Sequence, residues 1–172
     1  MERLKREWAI APLLVALWVA LFGCGARLPD DYRDRPFTAL VFWQTNGTAV
    51  TARFETDGTG KTEMVLTSPE GLAGVTLTAE GEKRTLRCGH AVLEGGYAQP
   101  LFDVMALMLP VGERRAVCEA EWGGERVWYA EITGDVPTEL YLSRERGVPV
   151  ALRRGEICLE ILEFEYAEED SA

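Results

Sequence analysis

The sequence predicts a mainly β protein of the α+β class: a strongly curved antiparallel sheet, or open half-barrel, with one short helix packed on its concave face. Three observations predict it. Apolar residues recur with a period of two, turn dipeptides separate the short runs, and a single apolar segment has helical spacing. The concave side of such a sheet needs an apolar cover, which this helix is expected to supply.

The strands before the helix are joined by glycine-containing turns. The first strand, residues 37–44, is apolar on both faces for much of its length. Asn46-Gly47 follows it, and both residues can adopt the positive φ that a type I′ hairpin needs. Further strands are predicted over residues 50–55, 63–67, 75–79, 84–88 and 90–93.

The helix is predicted between Pro100 and Pro110, where residues 101–109 are apolar at helical spacing and rich in helix formers. Strands resume after it over residues 116–122, 126–132, 139–144, 148–153 and 156–166. The last strand changes phase, since Ile157 and Ile161 share one face whereas Phe164 would occupy the other. A β-bulge near Ile161 would reconcile the two halves.

The first 23 residues have the plan of a bacterial secretory signal. Arg3, Lys5 and Arg6 precede an apolar core at residues 9–22. A membrane-spanning helix needs roughly 20 apolar residues. This core is shorter than that and contains Pro12. The pattern therefore favours a cleaved signal over the alternative, a permanent anchor at the amino terminus.

The run Leu21-Phe22-Gly23-Cys24 resembles the lipobox read by lipoprotein signal peptidase. The resemblance implies that residues 1–23 are removed as a lipoprotein signal peptide and that Cys24 is lipidated with acyl chains such as palmitate. The protein would then be held on the extracytoplasmic face of a cell membrane, since more than one acyl chain gives stable anchoring.

The remaining chain divides into three parts. Residues 24–36 are charged, contain two prolines and are expected to be the lipidated amino terminus and a tether. Residues 37–166 are expected to form a single half-barrel domain, and residues 167–172 an acidic frayed tail. The net charge of −10 excludes nucleic acid as a partner, because phosphates require clustered lysine and arginine.

Cysteine usage leaves two interpretations open. With Cys24 assigned to the lipid, Cys88, Cys118 and Cys158 remain, an odd number. Two of them could form a disulfide, or all three could be unpaired, buried, apolar side chains. Their positions in predicted strands favour the second interpretation.

No catalytic constellation is recognisable. Cys88 and His90 lie two residues apart, but no further metal ligand and no oriented base accompany them. Glutamates that alternate with apolar residues are typical of a solvated strand face. The sequence therefore predicts no catalytic residues, no metal site and no cofactor, and hence no enzyme.

Three segments carry a resemblance to a known family: residues 64–72 with 74–77, the helix after its proline, and the closing strands 146–152 and 157–161. They resemble the lipoprotein-localisation family, the LolA/LolB-like half-barrels that include lipid-carrier lipoproteins. The resemblance implies an apolar cavity between sheet and helix that holds an acyl chain or another hydrophobic ligand. This chain differs from the family in having one recognisable helix instead of several.

The residues expected to line that cavity are apolar and lie on the strands and helix just described: Val41, Trp43, Val50, Ala52, Phe54, Met64, Leu66, Val75, Leu77, Leu101, Met105, Leu109, Trp122 and Trp128. Two functions follow. The first is a membrane-anchored lipoprotein that binds a lipid or hydrophobic ligand. The alternative is an envelope protein-interaction or assembly module with a filled core and no ligand, docking through an edge strand.

Overall fold

A computed structural model of the chain describes residues 31–167, apart from the side chain of Ala116. The predicted signal peptide, Cys24, the tether before Asp31 and the tail beyond Ala167 lie outside these residues. Within the described part, no helix has the length and apolar character needed to cross a membrane.

Within residues 31–167, eleven strands form one open antiparallel sheet, which confirms the predicted fold class. The strands are β1 (Phe37–Thr45), β2 (Thr48–Thr56), β3 (Lys61–Ser68), β4 (Thr76–Glu80), β5 (Lys83–Cys88), β6 (Ala91–Glu94), β7 (Arg114–Trp122), β8 (Glu125–Ile132), β9 (Thr138–Ser143), β10 (Pro149–Arg154) and β11 (Ile157–Tyr166). One α-helix, α1 (Gln99–Leu107), separates β6 from β7 among the described residues, and short 3-10 helices span Tyr32–Asp34 and Glu70–Leu72.

The strand order places both ends of the domain at the centre of the sheet. It runs β6-β5-β4-β3-β2-β1-β11-β10-β9-β8-β7. The first six strands lead outward to one edge, and α1 then connects this edge to the other. The last five strands return to the centre, where β11 pairs with β1. The helix therefore joins the two edge strands and packs on the inner face between them.

Local sequence signals account for the centre of the sheet. Asn46 and Gly47 have φ values of 48° and 77°, as the predicted hairpin requires. Between β1 and β11, Leu40 pairs with Glu163 and Val41 pairs with Ile161, so Leu162 is the extra residue of a bulge. This confirms the predicted bulge, which keeps Phe164 on the inner face with the earlier apolar residues of β11.

The hydrophobic core lies between the inner face of the sheet and α1. Proline near the start of α1 is compatible with the helix because its missing N–H would have no intrahelical partner there. The helix buries four side chains against the sheet: Phe102, Val104, Met105 and Leu107. Opposite them, Phe54, Met64 and Leu66 of β2 and β3 are fully buried.

The segment before β1 corrects one expectation. We expected residues 24–36 to be a tether, but the structure packs residues 31–36 against the domain. Tyr32 is fully buried, its hydroxyl donates to the carbonyl of Met108 at 2.9 Å, and its ring meets Phe37 and Phe164 edge-on. A lone aromatic residue among charges has no apolar period, so the sequence pattern does not reveal this contact.

Charged neighbours fasten the same segment to the loop between α1 and β7. Arg33 donates to the carboxylate of Asp31 and to the carbonyls of Pro110 and Gly112. Arg114 lies 3.3 Å from the same carboxylate. Burial raises the pKa of Asp31, but the hydrogen bonds and positive charges around it lower that pKa by more, leaving it below its ordinary value. Residues 31–36 are therefore part of the folded domain.

The three described cysteines are unpaired, as the favoured interpretation predicted. Their expected burial is wrong for two of them, since Cys88 and Cys118 are exposed and Cys158 is half-buried. Cys88 ends β5 beside the short edge strand β6, and Cys118 lies on the edge strand β7. A strand at or near an edge has few neighbours to cover its side chains.

Candidate functional site

The middle of the concave face is filled by the helix. Phe54 and Met64 from the sheet, and Met105 and Met108 from the helical segment, are each at most 3% exposed. Interiors packed in this way exclude both water and ligand. Space for a ligand beside the helix lies instead at one end of the sheet, where three hairpin turns face α1.

These three turns adjoin one another because their strands are neighbours. They join β1 to β2, β10 to β11, and β8 to β9. We call this end of the sheet the loop end. Two pockets lie there against the helix, one on each side of the β10–β11 turn.

The first of these, called here the rim pocket, has a volume of about 380 Å³. Its apolar walls are Trp43 of β1, Leu101 and Val104 of α1, and Ile157 of β11. Polar side chains also line it: Gln44, Thr45, Asn46, Asp103 and Glu156. An apolar interior with a polar mouth that carries two carboxylates can hold an apolar group and leave its uncharged or cationic end in water.

The mouth of the rim pocket is held by a short hydrogen-bond chain. Arg84 of β5 donates to the side-chain oxygen of Gln99 at 2.7 Å, and the amide of Gln99 donates to Asp103 at 2.6 Å. The Arg84 guanidinium also lies 5.6 Å from the ring centroid of Phe102. These contacts connect the first turn of α1 to the outer part of the sheet and orient Asp103.

The second pocket, called here the Arg154 pocket, has a volume of about 290 Å³. It lies between the end of α1 and the β8–β9 turn, with Leu109, Val111 and Val136 as large apolar walls. Ala106, Gly134 and Asp135 line it as well, together with Arg154. The Nε of Arg154 donates to the hydroxyl of Thr138 at 2.8 Å.

The fourteen residues predicted to line a cavity separate into several places. Trp43 and Leu101 line the rim pocket, and Leu109 lines the Arg154 pocket. The largest group is buried in the packed core: Val41, Val50, Ala52, Phe54, Met64, Leu66, Val75, Leu77 and Met105. The structure therefore distributes the predicted set between two pockets and a filled interior.

The two remaining tryptophans lie on opposite faces. Trp128 packs against the core on the inner face, with the Arg144 guanidinium 5.0 Å from its ring. Trp122 lies on the outer face, where its ring centroid is 4.5 Å from that of Tyr141. Trp122 is therefore remote from any cavity between sheet and helix, which corrects its place in the predicted set.

Tyr129 joins Trp122 and Tyr141 in an aromatic cluster on the outer face of β7, β8 and β9, its ring 5.6 Å from Tyr141. The hydroxyl of Tyr141 donates to Glu139 at 2.9 Å. Burial, and then the carboxylate of Glu139, raise the pKa of Tyr141 to about 12. The phenol donates to Glu139, and the raised pKa keeps it protonated to higher pH than an ordinary tyrosine.

Several residues of the two pockets were not predicted, notably Val104, Ile157 and Arg154. Ile157 shares the inner face of β11 with Leu159, so the strand period alone would have included it. Whether Val104 reaches the rim pocket depends on which side of α1 meets the β10–β11 turn. Arg154 has the sequence context of an ordinary turn residue. These two positions follow from tertiary packing.

Within residues 31–167, no three histidine, cysteine, aspartate or glutamate side chains are grouped closely enough to hold a metal ion. Cys88 and His90, the pair considered in the sequence, are both exposed.

The fold recurs in proteins of known structure. An uncharacterized conserved protein from Thermus thermophilus matches over 79% of this chain and 81% of its own length, with a TM-score of 0.56 and 14% identity. MucB matches over 84% of this chain, with a TM-score of 0.53 and 16% identity, and this chain spans 58% of MucB. At such identities the likeness shows the fold alone.

Weaker structural matches include the LolA superfamily protein NE2245 from Nitrosomonas europaea, with a TM-score of 0.44, 10% identity and coverage of 81% of this chain and 89% of its own. The Pseudomonas aeruginosa MucA/MucB complex matches with a TM-score of 0.47. The likeness in fold rests on the two stronger matches. No protein-family model and no curated protein matches this chain.

Proposed function

We propose that this chain is a non-enzymatic binding protein of the bacterial cell envelope that accepts an apolar group of a lipid or another hydrophobic ligand in the rim pocket. The observation that carries the proposal is the set of four apolar walls, Trp43, Leu101, Val104 and Ile157, around about 380 Å³. Small-molecule pockets typically measure about 300–1,000 Å³ and are mainly apolar. The volume suits one compact group or the end of an acyl chain.

Charge at the mouth narrows the ligand class. Asp103 and Glu156 are exposed and lie on opposite sides of the opening, one on the helix and one on the β10–β11 turn. Their carboxylates disfavour a ligand whose anionic group stays near the mouth, because like charges repel. The apolar group itself is driven inward by about 25 cal/mol for each Å² that it buries. A neutral or cationic hydrophobic molecule fits best.

The test is binding of N-phenyl-1-naphthylamine, an uncharged fluorescent probe, to the purified full-length protein. Leu101→Gln replaces an apolar wall with an amide that finds no partner against the probe, so we expect the dissociation constant to rise about tenfold. Leu162→Gln is the matched control, because Leu162 lies on the β11 bulge, is 54% exposed and is remote from the pocket.

The control variant is expected to bind the probe like the unmodified protein. Absence of probe binding by the unmodified protein, or equal loss of binding in both variants, would contradict the proposal. Thermal unfolding of each variant shows whether Leu101→Gln remains folded at the assay temperature.

The proposal includes attachment to the membrane through a lipidated Cys24, which lies outside the described residues. Its support is the lipobox-like run of residues 21–24 and the acidic net charge, which gives the body of the protein little attraction for anionic headgroups. Cells fed radiolabelled palmitate are expected to label the unmodified chain and leave Cys24→Ala unlabelled. Equal labelling of the two chains would exclude Cys24 as the acceptor.

A second candidate function is an envelope protein-interaction module. The edge strand β6 favours it, since Val92 and Leu93 are 51% and 47% exposed and the nearby Tyr97 is 76% exposed. An exposed edge of this kind can pair with an extended segment of a partner. MucB, whose fold is similar, has been solved in complex with the protein MucA.

In-cell cross-linking separates the two candidates. A photoreactive residue placed at Val92 would trap one specific protein if β6 is a docking edge, whereas the same residue at Leu101 would trap lipid if the rim pocket is occupied. A protein adduct at Val92 without any lipid adduct at Leu101 would favour the second function over the first.

A further inference from the structure

Arg154 differs from its neighbour Arg153 in its surroundings. Arg154 is on the inner face of β10, opposite Ile157 of β11, and its Nε donates to Thr138, which is 1% exposed. Arg153 points to the outer face, where it lies 4.0 Å from the carboxylate of Glu139. Arg154 forms no ion pair within residues 31–167, so both of its terminal amino groups are available for an anion.

The walls beside this guanidinium are apolar and largely open to water. Val111 is 89% exposed and Val136 is 54% exposed, and both line the same pocket as Leu109. The β8–β9 turn and the loop before β7 lie close together here, since a Cβ at Gly134 would be 3.4 Å from the carbonyl oxygen of Val111. Three apolar side chains thus line the same pocket as a half-buried cation that is already oriented by a hydrogen bond.

We propose that the Arg154 pocket binds an amphiphile with an anionic head, whose carboxylate or phosphate pairs with Arg154 while its hydrocarbon part covers Leu109, Val111 and Val136. Arginine presents a planar fork that matches such oxyanions with two parallel hydrogen bonds. The single carboxylate lining the pocket, Asp135, is exposed, so solvent screens its repulsion of a bound anion. This site is separate from the rim pocket, whose acidic mouth favours the opposite charge.

The probes that test this inference share a chain length and differ in their heads: octanoate, octyl phosphate and 1-octanol. Each is titrated into the purified full-length protein while the methyl NMR signals of Val111 and Val136 are followed. Charge-assisted hydrogen bonds are expected to make at least one of the two anions bind about tenfold more tightly than 1-octanol. Whichever anion binds more tightly identifies the head group.

Two variants isolate the role of the guanidinium. Arg154→Gln is expected to weaken binding of the anion about tenfold, to the level of 1-octanol, and to leave 1-octanol unchanged. Arg153→Gln is the matched control, one residue away on the outer face. It is expected to change neither the affinity for the anion nor the affinity for 1-octanol. Val136→Glu adds a negative charge at a position that is 54% exposed, so its expected loss of anion binding does not depend on the folding of Arg154→Gln.

The inference is overturned if neither anion shifts the methyl signals of Val111 and Val136, if both anions bind no more tightly than 1-octanol, or if Arg153→Gln and Arg154→Gln weaken binding equally. Methyl signals of Val104 and Ile157 report on the rim pocket in the same spectra. Shifts confined to those two residues would remove the Arg154 site and leave the proposed function standing. Shifts confined to Val111 and Val136 would support the Arg154 site and argue against ligand binding in the rim pocket.

Discussion

Tyr32 shows how a residue outside any periodic pattern can complete a core. Its ring is fully buried and meets Phe37 and Phe164 edge-on, with centroid distances of 5.7 and 6.1 Å. Its hydroxyl satisfies the carbonyl of Met108, just beyond the last turn of α1. One side chain therefore connects the start of the folded chain, the centre of the sheet and the end of the helix.

Replacement of Tyr32 by phenylalanine is expected to lower the free energy of unfolding by about 1–2 kcal/mol at pH 7. The ring packing is kept, but the buried carbonyl of Met108 loses its donor. Urea unfolding of the purified protein measures the difference. An unchanged midpoint would mean that another donor, such as water, replaces the hydroxyl.

The same residue predicts a pH dependence. Burial raises the pKa of Tyr32 well above its ordinary value, whereas the unfolded chain has a tyrosine pKa of about 10. The protonated phenol thus contributes its full stability below about pH 10, and this contribution declines as the pH rises further. The stability gap between the unmodified protein and Tyr32→Phe is expected to narrow between pH 9 and pH 11. A constant gap over that range would contradict the burial of this hydroxyl.

Glycines with positive φ are not equivalent in this fold. A Cβ at Gly112, where φ is 137°, would lie 1.7 Å from the carbonyl oxygen of Thr133, whereas one at Gly123, with φ of 59°, would meet open space. Gly123→Ala is expected to cost about 1 kcal/mol for backbone strain alone. Gly112→Ala is expected to cost more than about 3 kcal/mol, because backbone must move as well. Thermal unfolding of both variants tests the difference, and equal effects would contradict it.

At the scale of the strand, the bulge in β11 reconciles two apolar phases. Leu159 and Phe164 are both buried on the inner face although their spacing is odd, and Leu162 is left without a partner on β1. If the same sequence ran as a regular strand with no bulge, one of these two side chains would turn to the outer face. The bulge therefore allows both halves of the β11 sequence to reach the core.

Deletion of Leu162 is expected to remove the bulge without preventing folding, because Glu163 then follows Ile161 directly and Leu159 and Phe164, now an even number of residues apart, stay on the inner face. Leu162→Ser is expected to change the free energy of unfolding by no more than about 0.5 kcal/mol, since the side chain is 54% exposed. Circular dichroism with thermal unfolding compares the two variants. Loss of cooperative unfolding in the deletion variant would contradict the role given to the bulge.

Elements with local signals were predictable and positions that depend on packing were not. The Asn46-Gly47 hairpin, the phase change in β11 and the single helix are each visible within a few residues of sequence. The faces of Trp122 and Trp128 required the register of their hairpin as well as the strand period. That register pairs Trp122 with Glu125 and Trp128 with Glu119. Counting outward from the two-glycine turn would have shown that the tryptophans cannot share a face.

At the scale of the whole molecule, the strands furthest apart in sequence pair at the centre of the sheet, and the edge strands are exposed. Its first and last strands, β1 and β11, pair with each other, so the core cannot close until the entire chain is present. Contacts so distant in sequence carry a larger loop-closure cost than hairpins do. The two pockets lie at the loop end, beside the turns that flank this central pair, and so depend on its closure.

Hydrogen exchange is expected to follow the strand order. Amides of β1, β2 and β11 lie between paired neighbours over a buried inner face, whereas all four residues of β6 are exposed and have one neighbouring strand. Local opening therefore costs little at β6 and approaches global unfolding at the centre. Exchange followed by mass spectrometry should label β6 first and β1 last, with β5 between them. Protection of β6 equal to that of β1 in the isolated protein would show that this edge is covered, by a second copy or by a bound segment.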